Sequence, residues 1–430
     1  MIPGVTLGGR GQAGSPVLRV RDFDDLAFDP FSTFDAAQGF GEVDDPYPVI
    51  HRLAAAGSVQ RGDLREHFDL KPFALWEEMP SLMVFGHANV NTVFGDGVTF
   101  SNGIMQRIFA DSFGRSINGM DPPEHTRYRR LFQRAFMPTT IAKWGSELVP
   151  RVVAERINCF AENGRADLVS EFTLQYPFDV IYEQLRLPAQ ERAAFQRLAV
   201  GLMCIMVDYP HALEASRKMG EYFQMLLEER RAQCEVDGDL VSMLAHAEVD
   251  GDRLPDDVAV SFLRQLMNAA GDTTYRSTGS LLAALLTHPE QLEVVRRDRS
   301  LVGPAIDETL RWEGPLTVLT REAACDTTVD GVAVPCGTKI DVVVGSANRD
   351  PARYDDPDNF NIMRKQERHM AFAYGPHVCI GQHLARLEME RALNALLDRF
   401  PRLRLDPDQP VPKVIGLNSR APDKLCVRFD

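Results

Sequence analysis

The chain lacks any run of about 20 apolar residues, the length a helix needs to cross a bilayer. Its first stretch, Met1 to Gly14, is rich in glycine and has no apolar core of the kind a secretory signal carries. Neither a membrane anchor nor export is expected, and the expected location is the cytoplasm. Cysteine is scarce and dispersed, with seven residues at 159, 204, 234, 325, 336, 379 and 426 and no Cys-x-x-Cys pair. An odd, scattered set excludes a disulfide framework and a zinc cluster, and it suits a reducing compartment. No Gly-x-Gly-x-x-Gly stands in the strand-to-helix setting of a dinucleotide fingerprint, and no cysteine set could hold an iron–sulfur cluster. The formal charge of −14 argues against nucleic acid as a partner. What is present is a chain of 430 residues, 44% hydrophobic and 25% charged, which is enough for an extensive core.

Near the C-terminus stands Phe372-Ala-Tyr-Gly375-Pro-His377-Val-Cys379-Ile-Gly381, a cysteine in a loop of turn residues. Behind it Leu384, Leu387, Leu393, Leu396, Leu397 and Phe400 recur at helical spacing until Pro401. The Cys379 sulfur is thus expected at a helix N-terminus, where free N–H groups favour negative charge and easy ionisation. Gly375 and Gly381 allow left-handed backbone or the close approach of a flat ligand, and Phe372 can shield the sulfur from water.

Upstream, residues 1–45 show no clear periodicity and read as an extended arm ahead of a single domain over 46–430. Asp45-Pro46-Tyr47-Pro48 opens a short helix. Ser81 to Phe85 reads as a strand, with a helix near Ala88 to Phe94. Phe100 to Asn118 reads as a long connection. Asp121-Pro122 signals a helix start, which puts His125 and Arg129 on one helical face. Residues 140–250 read as amphipathic helices, with Met203, Met206, Phe223 and Met225 as core filler and a break at Pro210. The longest helix is expected from Pro255-Asp256-Asp257 to Thr287, spanning about 50 Å. Its centre, Ala269-Ala270-Gly271-Asp272-Thr273-Thr274, gathers poor helix formers, and such a local conflict points to a functional site. Beyond it lie Glu308-Thr-Leu-Arg311, which alone reads as an ordinary i,i+3 pair, and a hairpin signal at Asp330-Gly331.

The cysteine loop resembles the haem-ligand loop of cytochrome P450, Phe-x-x-Gly-x-x-x-Cys-x-Gly, at all four fixed positions. Gly271's surroundings resemble that family's oxygen-activating segment, Ala/Gly-Gly-x-Asp/Glu-Thr, with Ala270 where glycine is usual. The extra methyl would narrow the groove there. Five motifs in family order over residues 80 to 420 imply a mainly α-helical fold with small β-sheets and a long central helix over the haem. The resemblance further implies haem b on the Cys379 thiolate and O2 as co-substrate, with Asp272 and Thr273 delivering protons and orienting oxygen. His125, Arg129, Arg321 and His377 are then propionate partners, and Phe372, Gly375 and Gly381 shape the haem cradle. Glu308 and Arg311 form a buried network with Arg364, and two middle helices form a mobile lid. Expected pocket walls are Ala269, Ala270, Leu316, Val318 and Leu319, together with Leu417 in the Ile415 to Leu417 strand region.

The implied activity is a monooxygenase acting on a hydrophobic organic molecule, hydroxylation first. A separate ferredoxin and ferredoxin reductase supply electrons, docking on Arg127, Arg130, Lys365 and Arg386. The alternatives are a peroxide-driven haem-thiolate peroxygenase, which Asp272 and Thr273 argue against, and a non-catalytic haem-binding protein.

Overall fold

In the computed structural model, residues 20–233, 239–365 and 367–429 are described. The helices used below are α1 (Pro30–Ala37), α2 (His87–Gly95), α3 (Gly103–Phe113), α4 (Glu124–Phe132), α5 (Tyr176–Gln184), α6 (Arg192–Gly201), α7 (Tyr209–Arg231), α8 (Asp256–Thr287), α9 (Val302–Trp312) and α10 (Gln382–Arg399). The strands are β1 (Val59–Arg61), β2 (Ser81–Val84), β3 (Phe100–Ser101), β4 (Leu319–Ala323), β5 (Thr327–Val329), β6 (Val332–Val334) and β7 (Lys339–Val342). The fold is mainly helical, with one five-stranded sheet in the order β1–β2–β7–β4–β3 and several short ribbons. Only β2 and β7 run parallel in that sheet, pairing Ser81 with Lys339 and Val84 with Val342.

Helix α8 organises the molecule. Its 32 residues span about 48 Å. Its first half (Val258, Phe262, Leu266) packs in one hydrophobic core with α5, α6 and α7, while its second half (Leu281, Leu282, Leu285) belongs to another with α9 and α10. The seam between the two cores falls at Ala269 to Thr274, where the sequence places its poor helix formers. Gly271 has a packing cause: a Cβ there would lie 2.4 Å from the Phe178 ring of α5. The Asp330-Gly331 hairpin forms as expected between β5 and β6, with φ of 47° and 75° at its two turn residues.

Three expectations are corrected. Residues 20–45 are not an extended arm: α1 forms there with Asp29 as its cap, and Phe23, Phe28 and Phe34 are buried. The rest of the expected arm, residues 1–19, lies outside the described residues. The stretch after Phe100 is a helix rather than a connection, because Ile104 and Ile108, one turn apart, are buried together against Ile205 and Ala212. Finally, α4 begins at Glu124, because the Asp121 carboxylate turns to the Asn102 N–H (2.9 Å) and the Ser101 hydroxyl instead of capping it.

Candidate active site

A cavity of about 320 Å³ lies between the centre of α8 and the loop that ends in Cys379. Ala269, Ala270 and Thr273 face it from α8, and Phe372, Cys379 and Gly381 face it from the loop. Gly381 caps α10, and the Cys379 N–H donates to the Phe372 carbonyl at 2.9 Å, closing the loop beneath the sulfur. Gly375 answers to backbone geometry. Its φ is +70°, and a Cβ would sit 2.1 Å from the Phe94 carbonyl oxygen of α2. Gly375→Ala is therefore expected to cost about 2 kcal/mol or more in stability, read as a lower urea midpoint of the haem-loaded protein. An unchanged midpoint would show that the loop can shift away from α2 freely.

The sulfur is exposed to the cavity but enclosed by protein on its other sides. Burial pushes the Cys379 thiol up, and the Gly381 and Gln382 N–H groups and Arg129 only partly offset it. Burial thus opposes the helix terminus that was expected to ease ionisation, and a cation bound at the sulfur would favour the thiolate.

Four basic side chains meet at one end of the cavity region. The rings of His125 (α4) and His377 lie 3.9 Å apart, Arg129 donates to the Val378 carbonyl, and Arg321 is buried over the Phe94 ring. Burial, then Arg129, pushes His125 down to about 4, and burial, then His125 and the two arginines, pushes His377 down to about 2. Burial likewise holds Arg321 down at about 10, opposed only by Asp121. Both ring nitrogens of His125 and Nε2 of His377 are buried without a partner. Buried basic groups with open donors fit anionic groups that would sit among them. With an open sulfur and apolar walls, this donor set fits a flat iron macrocycle bearing two carboxylates.

Thr273 and Asp272 do not face the same way. Thr273 lines the cavity, its hydroxyl donating to the Ala269 carbonyl at 3.0 Å. Asp272, about 100° further round the helix, is buried off the cavity against Arg276. Leu316 and Leu319 line the cavity as expected, but Val318 and Leu417 do not. Val318 turns to a separate cluster around Val43 and Ile50, in an irregular segment whose Thr317 and Val318 N–H groups both donate to Asn418 Oδ1, at 2.8 and 3.4 Å. Leu417 is buried in that same cluster. Of the expected docking charges, Arg127 is paired with Asp250 (2.7 Å), Lys365 with Glu367 (3.4 Å) and Arg386 with Asp307 (2.6 Å). Arg130 is exposed and has no acidic partner among the described residues.

The buried network is present in full. Glu308 accepts from Arg311 twice at 2.8 Å, from Arg364 Nε at 3.0 Å and from the Asn361 N–H at 3.0 Å. Of the lining residues that escaped sequence reasoning, two leave a buried polar atom without a partner among the described residues. Gln265, two turns before Thr273 on the same face, leaves its Oε1 buried and unpaired. Glu388 is buried with Oε2 unpaired, and burial pushes its carboxyl well up. Its one signal was a charge on the otherwise apolar face of α10.

The cytochrome P450 family model matches residues 195–427. The cytochrome P450 monooxygenase PikC of Streptomyces venezuelae is 33% identical, over 84% of this chain and 85% of its own. Among solved structures, the Bacillus subtilis bacillaene polyketide synthase cytochrome P450 PksS superposes with a TM-score of 0.80 at 27% identity, covering 92% of this chain and 99% of its own. CYP109E1 from Bacillus megaterium, in complex with testosterone, gives 0.78 at 26%, covering 90% and 99%.

Proposed function

This chain belongs to the cytochrome P450 family, whose members bind haem b through a thiolate and use O2, and on that premise we propose that it hydroxylates a hydrophobic organic substrate. One oxygen atom goes to the product, and the other leaves as water after taking up two electrons and two protons. The observation that carries this reading is the facing pair across the cavity, with Cys379 on the loop and Thr273 on α8.

Residue positions support these roles: Cys379 would ligate the iron, and His125, Arg129, Arg321 and His377 would hold the two propionates as their anionic partners. The thiolate-bound haem supplies the oxygen chemistry, and a thiolate favours O–O cleavage. The chain's own part is to exclude water, hold the substrate and move protons. Thr273 Oγ1, back-bonded to the Ala269 carbonyl, can turn its hydroxyl into the cavity and donate there. Asp272, on the neighbouring face, replenishes that proton. Apolar walls (Ile117, Phe136, Leu266, Leu316, Leu319) favour a lipid, terpenoid, steroid or aromatic substrate, and Gln265 Oε1 is available to a substrate hydroxyl. The testosterone complex of CYP109E1 supports a substrate of that size and polarity.

The test begins with a panel of such compounds, taking one that shifts the Soret band of the ferric protein to its high-spin form. With it, Thr273→Ala is expected to keep oxygen consumption while product per oxygen falls about tenfold. Unchanged coupling would reject the proton role of Thr273.

Electrons are proposed to come from a separate ferredoxin and its reductase, since the sequence carries no fingerprint for a redox domain of its own. Arg130, the unpaired member of the expected docking set, is the proposed contact. Arg130→Glu should slow reduction by a ferredoxin several-fold at low salt and flatten its salt dependence. Equal rates at all salt concentrations would exclude this arginine. We take residues 20–429 as one catalytic domain, with α1 part of it. The scattered cysteines support a cytoplasmic location, and among the described residues no helix is long and apolar enough to cross a membrane.

A further inference from the structure

Asp272 shares its cation. Arg276, one turn further along α8, donates from Nε to both oxygens of the Asp272 carboxylate at 3.0 Å. Its other nitrogens bind the Ser419 carbonyl and, at 2.6 Å, Oδ1 of Asp35 on α1. The guanidinium is 1% exposed and enclosed by the rings of Tyr275, Phe34 and Phe40. One buried arginine thus serves two carboxylates, and only Asp35, at 24% exposure, reaches solvent.

Asp35 is not a loose surface acid. Asp29 caps its helix, Phe34 beside it is buried, and the Phe40 N–H donates to the Asp35 carbonyl at 3.0 Å. The preceding segment is fastened to α6 and α7 by Arg197–Asp22 (2.8 Å), Lys218–Asp24 (2.8 Å) and a Phe28–His211 stack at 3.9 Å.

We propose that Asp35 is a positioning residue for Asp272, acting through Arg276: by sharing the guanidinium it loosens the grip on Asp272 and lets that buried carboxyl take up and release a proton. This rests on the reading of Asp272 as the proton source behind Thr273. A carboxylate held by an unshared, two-point arginine contact in dry surroundings stays ionised and makes a poor acid. A second anion on the far side of the arginine pulls the cation away and disfavours the charged form. The charged and titratable groups facing Asp272 are Arg276 and Tyr275 on its own helix and Asp35 on α1. From α5, Phe178 packs on Gly271 while Asp179 is committed to Arg156 and Arg192. From the C-terminal segment only the Ser419 carbonyl reaches Arg276, since Arg420 binds Glu313. Among these, burial pushes Asp272 up, Arg276 pulls it down, and Asp35 pushes it up again.

The test is infrared difference spectroscopy of the haem-loaded protein over about pH 4 to 9, following the protonated-carboxyl band that Asp272→Asn removes. Glu388→Gln and Asp341→Asn identify the bands of two other buried acids whose carboxyls burial pushes up, so that neither is confused with that of Asp272. Asp35→Asn is expected to move the midpoint of the Asp272 band down by about one pH unit, a tenfold change in proton affinity, and Asp35→Glu is expected to restore it. Asp35→Ser serves in place of the asparagine variant if that one fails to fold. A midpoint unmoved in a folded Asp35 variant, or no band lost in Asp272→Asn, overturns the proposal. The two readings separate cleanly. If the midpoint moves but Asp272→Asn leaves product per oxygen intact, the coupling to Asp35 stands and the proton role of Asp272 fails. If Asp272→Asn uncouples but the midpoint stays, the reverse holds.

Discussion

Cys379→Ser is expected to yield a folded protein without a thiolate-type spectrum, its monooxygenase turnover down by more than about a thousandfold, over 4 kcal/mol of barrier. The argument is one of position and chemistry together. Among the described cysteines only Cys379 lines the cavity. Cys159, Cys325 and Cys336 are exposed elsewhere, Cys426 is part-buried, and Cys204 is buried with its sulfur against the Pro30 carbonyl. Burial raises the Cys379 thiol pKa, and a cation bound at the sulfur would take the place of its proton, which would leave to solvent. A serine hydroxyl, far less acidic, cannot make that exchange near neutral pH, so the electron-rich ligand is lost. Haem content and circular dichroism report whether the fold survives, and the spectrum of the reduced carbon monoxide complex reports the ligand. A thiolate-type spectrum in this variant would mean that another cysteine reaches the iron, which no described residue is placed to do.

What the sequence made legible was what local rules decide. The cysteine loop, the limits of α8 and the Asp330-Gly331 turn are set by residues adjacent in the chain, and each formed where expected. Contacts across long separations were not legible. Asp272 and Arg276 stand four apart and could have been paired on a helix face, but nothing local joins Asp35 to Arg276 across 241 positions. The helix after Phe100 was hidden because Ile104 and Ile108 are its only buried aliphatic pair, too short a period to outweigh the glycines at both ends. Gly271 stood in the sequence only as one of a cluster of poor helix formers that lies at the cavity, and its own cause, the Phe178 ring, is again a contact across a long separation. Val318 and Leu417 were assigned to the pocket by segment, whereas the direction of each side chain is set by neighbours the segment does not contain.

The second large effect is expected at Glu308, which never touches the cavity. Glu308→Ala should cost about 3–5 kcal/mol, because it leaves Arg311, 3% exposed, as a buried charge without its anion. The loss should be felt at the cysteine loop. Arg311 also donates to the Asn348 carbonyl at 3.0 Å, and the Asn348 side chain accepts from the Met370 N–H at 2.6 Å, nine residues before Cys379. Arg364, held by the same carboxylate, anchors the other end of that segment. We therefore expect a low urea midpoint and poor haem retention together in Glu308→Ala. Glu308→Gln should recover part of the first and less of the second, because its amide carries no charge to pair the two arginines and turns an NH2 donor toward Arg311 Nε where Oε2 accepted. The double variant Glu308→Leu with Arg311→Leu separates two roles. Buried ion pairs replaced by well-packed apolar residues often keep or gain stability, so its midpoint should rise back toward that of the parent. If haem retention returns with it, the network is a stability element alone. If retention stays low while the midpoint recovers, the ion pairs serve to fix the loop that presents the sulfur, which is the outcome the Arg311–Asn348–Met370 chain predicts.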